Sequence, residues 1–393
     1  MSGASSQAQE LPEPNVLERR ASLYLERRSG RKERSPDPAS VDTSELSRIR
    51  RNAVAWAVLS GLVSGAIIGG SEAWLRLVYR GGIEDMPFWD QFPYWAAFYA
   101  LVGVITVVEM AFLYWNALDA TARLNGLIGA PLDGEDRSEF LAVGLARAAL
   151  ESPNPHQVVH GVDPYALMPR WRLIAQNLLY KAKVGASSFI LRILMRRVFA
   201  RAALRGFIPL LAIPLYAIWN AWITWRVVDE ARLRTLGPGA IETVVDLIKS
   251  HDGGLSEEAV DILLHGVAET VMRGYDAHPN YILLIKRLVE EVDPEREEIE
   301  TDWESDRDNL DRLDDDEKTI VLDVLTLATV LAGRPRRAQR DFLSEIHGQA
   351  GRRLDPKALK KLAKAFTAGR GVDVDKLEDV RGPAKDGGEK ETG

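Results

Sequence analysis

Apolar positions along this chain gather into three long blocks, and the remainder is patterned for shorter helices. Asn52 to Ser71 is a run of 20 residues without a charge. At about 1.5 Å per helical residue it reaches roughly 30 Å, the thickness of a bilayer's hydrocarbon core. Arg48, Arg50 and Arg51 stand before it, and Glu72 and Arg76 follow. The second run, Gln91 to Leu118, is interrupted only by Glu109. Phe88, Trp89, Phe92, Tyr94 and Trp95 mark one end and Tyr114 and Trp115 the other, as expected where amphipathic rings sit at a headgroup boundary. The third block, Gly206 to Trp225, is again uncharged, contains Pro209, Pro214 and Asn220, and ends in Trp219, Trp222 and Trp225.

The first two blocks predict a transmembrane hairpin within residues 46–120, with spans near 52–72 and 92–116. Basic residues before the first span and a short, acid-containing loop after it place the N-terminus and the chain beyond Asp119 on the cytoplasmic side. The third segment, 206–225, has arginines on both flanks. It fits a crossing, a re-entrant segment or a buried core helix.

No segment alternates with period two, so the expected fold class is all-α: a membrane hairpin, a third apolar segment and a soluble helical C-terminal region. Residues 1–45 read as a disordered basic tail with a short helix around Ala21–Arg28. Residues 121–186 read as a cytoplasmic helical linker that includes a helix over Glu139–Leu150. Residues 187–236 join a basic amphipathic helix to the third apolar segment. From 237 to 381 the pattern predicts helices at Ala240–Lys249, Glu257–Arg273, Tyr281–Val292, Glu317–Ala332, Arg337–His347 and Pro356–Phe366. Ser256 and Asp355 are placed to cap two of them. Residues 382–393 read as a disordered tail.

Charge changes the picture in one place. The net charge is −7, yet residues 290–317 alone hold 16 acidic against three basic residues, so the rest of the chain is basic. This segment reads as a solvated linker. The mean hydropathy of −0.14 hides the segregation of apolar blocks from charge. With no cysteine, thiolate chemistry, disulfides and Cys-based zinc sites are excluded.

Candidate chemistry is sparse. Glu109 lies near the middle of its span, where a carboxylate is costly unless it is protonated, paired or hydrated. Ser60 and Ser64 in the first helix and Asn220 in the third segment are its candidate polar partners. Gly61, Gly65 and Gly69 form two small-xxx-small steps that let another helix approach closely. Arg192, Arg196, Arg197, Arg201 and Arg205 recur at helical spacing beside an apolar face, the pattern of a helix lying on anionic lipid headgroups. His156 and His160 have zincin spacing, but Gln157 stands where that motif needs its glutamate. A calcium loop begun at Asp302 would meet Arg307 and Leu313 where Gly and Glu are required. There is no phosphate loop, nucleophile elbow or dinucleotide fingerprint. Hence no catalytic residue, metal site or cofactor is assigned, and phospholipid is a better partner than nucleic acid.

The stretch FIPLLAIPLYAIWNAWITWRVVDEARLRTLG, ending at Gly237, resembles the central segment of EcsC-like bacterial proteins through Pro209, Pro214, Asn220 and Ala231. The glycines usual inside that run are missing. The segment around His251–Glu258 and the helices from Glu317 to Phe366 resemble TerB-like tellurite-resistance modules, whose acidic positions are partly present. The resemblance implies an uncharacterised family of bacterial envelope proteins and no particular reaction. The expected function is a non-enzymatic, multi-pass inner-membrane adaptor, possible as a homo-oligomer, with an unknown protein partner at the acidic region. The alternative is a small oligomeric channel or transporter built on Glu109.

Overall fold

The computed structural model describes residues 14–29, 42–78, 86–128, 136–150, 154, 156–169, 171, 208–251, 253–301, 303 and 307–383. Eleven α-helices are defined among them: α1 (Val16–Ser29), α2 (Thr43–Val78), α3 (Phe88–Ile128), α4 (Asp136–Ala149), α5 (Ile208–Lys249), α6 (Glu257–Gly274), α7 (Pro279–Val292), α8 (Asp315–Val330), α9 (Arg337–Gln349), α10 (Pro356–Thr367) and α11 (Asp375–Arg381). A 3-10 turn covers Arg307–Arg312. The described residues form no strand, only an isolated bridge between Val159 and Val162. The all-helical class read from the sequence therefore holds.

The hydrophobic pattern explains the three longest helices. Each joins an apolar half to a charged half. α2 and α3 are long and apolar enough to cross a membrane, and only 39% and 22% of their most apolar windows are buried. The core helix of a water-soluble domain would hide most of that surface. Here Val63, Ile67, Val104, Val107 and Val108 face outwards. Aromatic side chains are exposed at both ends of the apolar zone: Trp56, Trp115, Trp222 and Trp225 towards one end, Trp74, Phe88 and Trp89 towards the other.

α2 runs antiparallel to both α3 and α5. Asn116 donates to the Ala53 carbonyl at 2.8 Å and Trp56 packs edge-on against Phe112, while Ile68 and Leu75 pack with Phe98 and Val102. Against α5, Gly65 faces Ile213, Gly61 faces Ala217, and Arg50 pairs with Asp229 at 3.0 Å. α3 and α5 are consequently parallel to each other. The N-terminal part of α2, the C-terminal part of α3 and the described residues after Trp225 meet at one end of the bundle. There they join the main core, in which Leu46, Leu124 and Val228 pack with residues of α6 to α11.

Several boundaries differ from the sequence expectation. α5 does not stop at Gly237-Pro238 but runs through both to Lys249. Asn280 supplies the reason: it lies against Gly237, where a Cβ would collide with its amide, and its Nδ2 donates to the Leu233 carbonyl at 3.1 Å and the Leu331 carbonyl at 2.8 Å. A neighbouring side chain thus donates to the carbonyl next to that of Arg234, the one left without its helical donor by a proline that has no N–H to give. In the N-terminal tail, the expected short helix is longer, spanning Val16–Ser29. It is also packed, through Ala21, Leu25 and a buried Glu18–Arg147 ion pair to α4.

The acidic segment is more than a solvated linker. Ile299, Trp303, Leu310 and Leu313 are buried, and Trp303 packs edge-on against Phe342. The Ile299 N–H also donates to the His160 carbonyl at 2.8 Å. These apolar residues are spaced too irregularly to register as a helix face, yet they pin the acidic strap to the domain. Both caps are formed as expected: Ser256 accepts from the Ala259 N–H, and Asp355 from Lys357 and Ala358. The basic helix carrying Arg192, Arg196, Arg197, Arg201 and Arg205, the hairpin loop with Glu84 and Asp85, and the C-terminal tail from 384 lie outside the described residues.

Candidate functional site

A polar pair in the bundle's interior joins two residues that the sequence singled out separately. Glu109 on α3 is 5% exposed, and its Oε1 accepts a hydrogen bond from Asn220 Nδ2 on α5 at 2.7 Å. Burial in an apolar bundle costs a carboxyl group several kcal/mol unless it finds such partners. The α3–α5 contact is set by their parallel packing, which places Ala117 beside Val227 two turns further on.

Ser64 is buried as well, with its hydroxyl 3.4 Å from the Gly61 carbonyl of its own helix. Ser60 is half-buried. From the α2–α3 register both serines lie near the depth of Glu109, as the sequence implied, but Asn220 is the partner whose bond to Glu109 is explicit. Asn116, not singled out in the sequence, ties α3 to the α2 backbone. Its only signal was a polar residue inside an apolar run.

Gly61 and Gly65 are what allow α2 and α5 to touch. A Cβ on Gly61 would lie 2.8 Å from the Ala217 Cα and N, and one on Gly65 would lie 2.9 Å from the Ile213 Cα. Both clashes are with backbone, which cannot move aside as a side chain can. The glycine stripe is therefore a seam with the third apolar segment. The hairpin partner α3 packs on α2 elsewhere. Gly69 is buried on the same stripe.

At the foot of the bundle, ion pairs take over. Asp229 holds Arg50 at 3.0 Å and Arg232 at 2.9 Å. One turn along, Arg234 is almost fully buried and donates to the Gly144 carbonyl at 2.6 Å, to Asn154 Oδ1 at 2.9 Å and to Glu230. Burial raises the Glu230 pKa, but Arg234 and His278 outweigh it and hold the carboxyl well below its ordinary range. This network locks α4, α5 and the start of α7 together.

His156 and His160 do not share a helix face. His156 Nε2 meets Asp163 at 2.8 Å, whereas His160, at φ 46°, sits in a turn with Nδ1 3.2 Å from the Glu297 carbonyl. Each ring has its own local partner, which removes the zincin geometry. A different group, His251, Asp314 and Glu317, brings three ligand-type atoms within 4.8 Å of one another and could hold a cation. Two of its members have structural roles: Asp314 caps α8, and Glu317 accepts from the Ser256 N–H at 2.8 Å. Sequence spacing could not reveal this group, because 62 positions separate His251 from Asp314 and His251 from Glu317 only slightly more.

Two open cavities flank α2. One of about 490 Å³ is lined by Glu45, Arg48, Ile49, Asn52, Arg123, Gly126 and Leu127. The other, about 420 Å³ and almost wholly apolar, runs between α2 and α5. Neither contains a nucleophile paired with a base. No protein-family model, curated protein or solved structure matches the chain.

Proposed function

We propose that the chain is a non-enzymatic, multi-pass inner-membrane protein that anchors a helical binding domain to the cytoplasmic face, acting as an adaptor. The observation that supports this reading is the continuity of α2, α3 and α5 from an outward-facing apolar bundle into the core of a charged domain. A domain whose core is completed by its own anchor is held at a fixed height and orientation over the membrane. The acidic strap of residues 290–317 then offers carboxylates to a basic protein partner while its four buried apolar residues keep it in place.

The register of α5 bears on topology. Its start at Ile208 lies level with the far end of α2, whereas α4 and the turn at Val159–Val162 belong to the domain end. The third apolar segment runs towards the domain, as α3 does. Domain and N-terminus are on the same side in this arrangement. A bacterial, EcsC-like and TerB-like ancestry is compatible with it. Alkaline carbonate extraction of membranes tests the reading directly. The chain stays in the pellet if it is integral, and release into the supernatant would defeat the proposal.

The Glu109–Asn220 pair favours a second reading, a small oligomeric channel or transporter. If Glu109 carries protons or cations, Glu109→Gln in reconstituted vesicles abolishes a flux that the native chain supports. The adaptor reading expects no flux from either.

A further inference from the structure

We infer that the apolar groove between α2 and α5 is the seat of a single anionic glycerophospholipid, an inference that rests on the membrane-anchor reading. The groove, about 420 Å³, is lined by Val54 and Val58 of α2 and by Ala217, Ile218, Trp222 and Trp225 among residues of α5. It exists because the glycine seam draws the two backbones together at Gly61 and Gly65, while beyond the seam Val54 and Val58 face Ala217, Ala221 and Trp225 across a gap. Among the described residues, its walls are open to the side rather than enclosed by other elements. Ile218 is 66% exposed, and Trp222 and Trp225 are each nearly half exposed.

What selects the occupant is the charge at one end. Arg51 precedes Val54 by one turn on the same helix face, and Arg226 follows Trp222 by one turn. The antiparallel register that sets Gly61 against Ala217 and Arg50 against Asp229 brings Arg51 and Arg226 to the same height. Both are exposed, and neither has a carboxylate partner among the described residues. The neighbouring Arg50 and Arg232 are by contrast both paired with Asp229. Arg226 lies over the Trp222 ring, 5.3 Å from its centroid, which holds its guanidinium at the mouth of the groove. An apolar slot ending in two guanidinium groups that no carboxylate of the described residues pairs matches an amphiphile with a phosphate at the same depth. An acyl chain fills the slot, and the phosphate bridges Arg51 and Arg226. A wholly apolar membrane helix would leave both charges without a counter-ion.

The test is native mass spectrometry of the full chain, purified in mild detergent and incubated with equimolar phosphatidylglycerol and phosphatidylcholine. One phosphatidylglycerol is retained per chain. The Arg51→Gln/Arg226→Gln pair lowers the preference for the anionic lipid roughly tenfold, and Val58→Trp, which fills the slot but leaves both arginines, removes the bound lipid of either kind. Retention that ignores headgroup and variant overturns the inference. So does efficient disulfide dimerisation of Val58→Cys, which would show a second copy in the groove. Carbonate extraction separates the two failures: a chain that stays in the membrane but retains no lipid defeats the groove alone, and a chain released by carbonate defeats the anchor and the groove together.

Discussion

At the scale of single residues, the domain buries two titratable groups that oppose each other. Asp323 on α8 is buried, 3.0 Å from Arg381, and its carboxyl is pushed up to about 6 by burial, against the pull of Arg381 and Arg352. His347 on α9 is fully buried, and no hydrogen-bond partner reaches either ring nitrogen among the described residues. Burial and the same two arginines push it down to about 4. Between pH 4 and 6 the folded chain binds the extra proton at Asp323, so that group's stabilisation is present below pH 4 and lost as pH rises through 6. His347 has the opposite sign. The unfolded chain binds the extra proton between about 6.5 and 4, and stability falls as pH drops through that range. The two slopes nearly cancel in the native chain. Relative to it, His347→Leu is expected to lose stability on raising pH from 4 to 6, by on the order of 3 kcal/mol. Asp323→Asn is expected to change in the opposite sense. Thermal unfolding in detergent across that range measures both, and two profiles parallel to the native one would refute the assignment. Inside the bundle the relevant quantity is a hydrogen bond. Glu109→Gln keeps an acceptor for Asn220 and is expected to unfold within about 1 kcal/mol of the native chain, whereas Glu109→Leu leaves that buried amide unsatisfied and costs about 1–3 kcal/mol.

At the scale of elements, the glycine seam gives a graded prediction. Gly61→Ala and Gly65→Ala each force a Cβ against the α5 backbone, so α2 and α5 must separate, at a cost of about 1–3 kcal/mol each. Gly70→Ala and Gly103→Ala meet nothing within 4 Å. They are expected to be neutral, or to stabilise by up to about 1 kcal/mol through helix propensity. Melting temperatures of the four variants in one detergent suffice, and equal losses at all four positions would mean that the seam is not where the helices meet.

The same elements show what could be read beforehand. Helices with continuous periodicity and a local cap, such as α6 behind Ser256 and α10 behind Asp355, were legible because the information lies within a few residues. Gly61 and Gly65 were legible as a close-packing stripe, but the sequence offered the hairpin seam or a second copy as partner, and the structure sets them against α5 instead. The path of α5 through Gly237-Pro238 was hidden for the same reason. Asn280, which supports that stretch, is more than forty positions away. In the tail, Ala21 and Leu25 become a packed face only because α4 supplies apolar neighbours and Arg147 meets Glu18. The Glu109–Asn220 bond joins two residues that each stood out as polar in an apolar run, yet only the parallel packing of α3 and α5 brings them together.

At the scale of the molecule, the bundle's polarity makes a prediction that the linear sequence left open. Read along the chain, the segment 206–225 fits a crossing, a re-entrant segment or a core helix, and a third crossing with no other would put the acidic domain on the far side from the N-terminus. The packing of the described residues bears on that choice. Leu46 of α2 and Leu124 of α3 share one core with Val228, Val244 and the helices that follow, so the start of α2, the end of α3 and the end of α5 occupy the same end. A membrane around the apolar zone must leave all three on one side. The chain has no cysteine, so single cysteines report without background. With Ser44→Cys, Asp85→Cys and Ser250→Cys probed in intact cells by an impermeant maleimide, only position 85 is expected to label; 44 and 250 become reactive after the cells are opened. Labelling of 250 together with 85 would place Ser250 opposite the start of α2 and break the shared core. The adaptor proposal would then have to be rebuilt around an external partner. Labelling of 85 alone leaves the acidic strap facing the cytoplasm, where a basic partner can reach it, and puts Arg51 and Arg226 at the inner headgroup layer, the leaflet in which anionic lipid is concentrated.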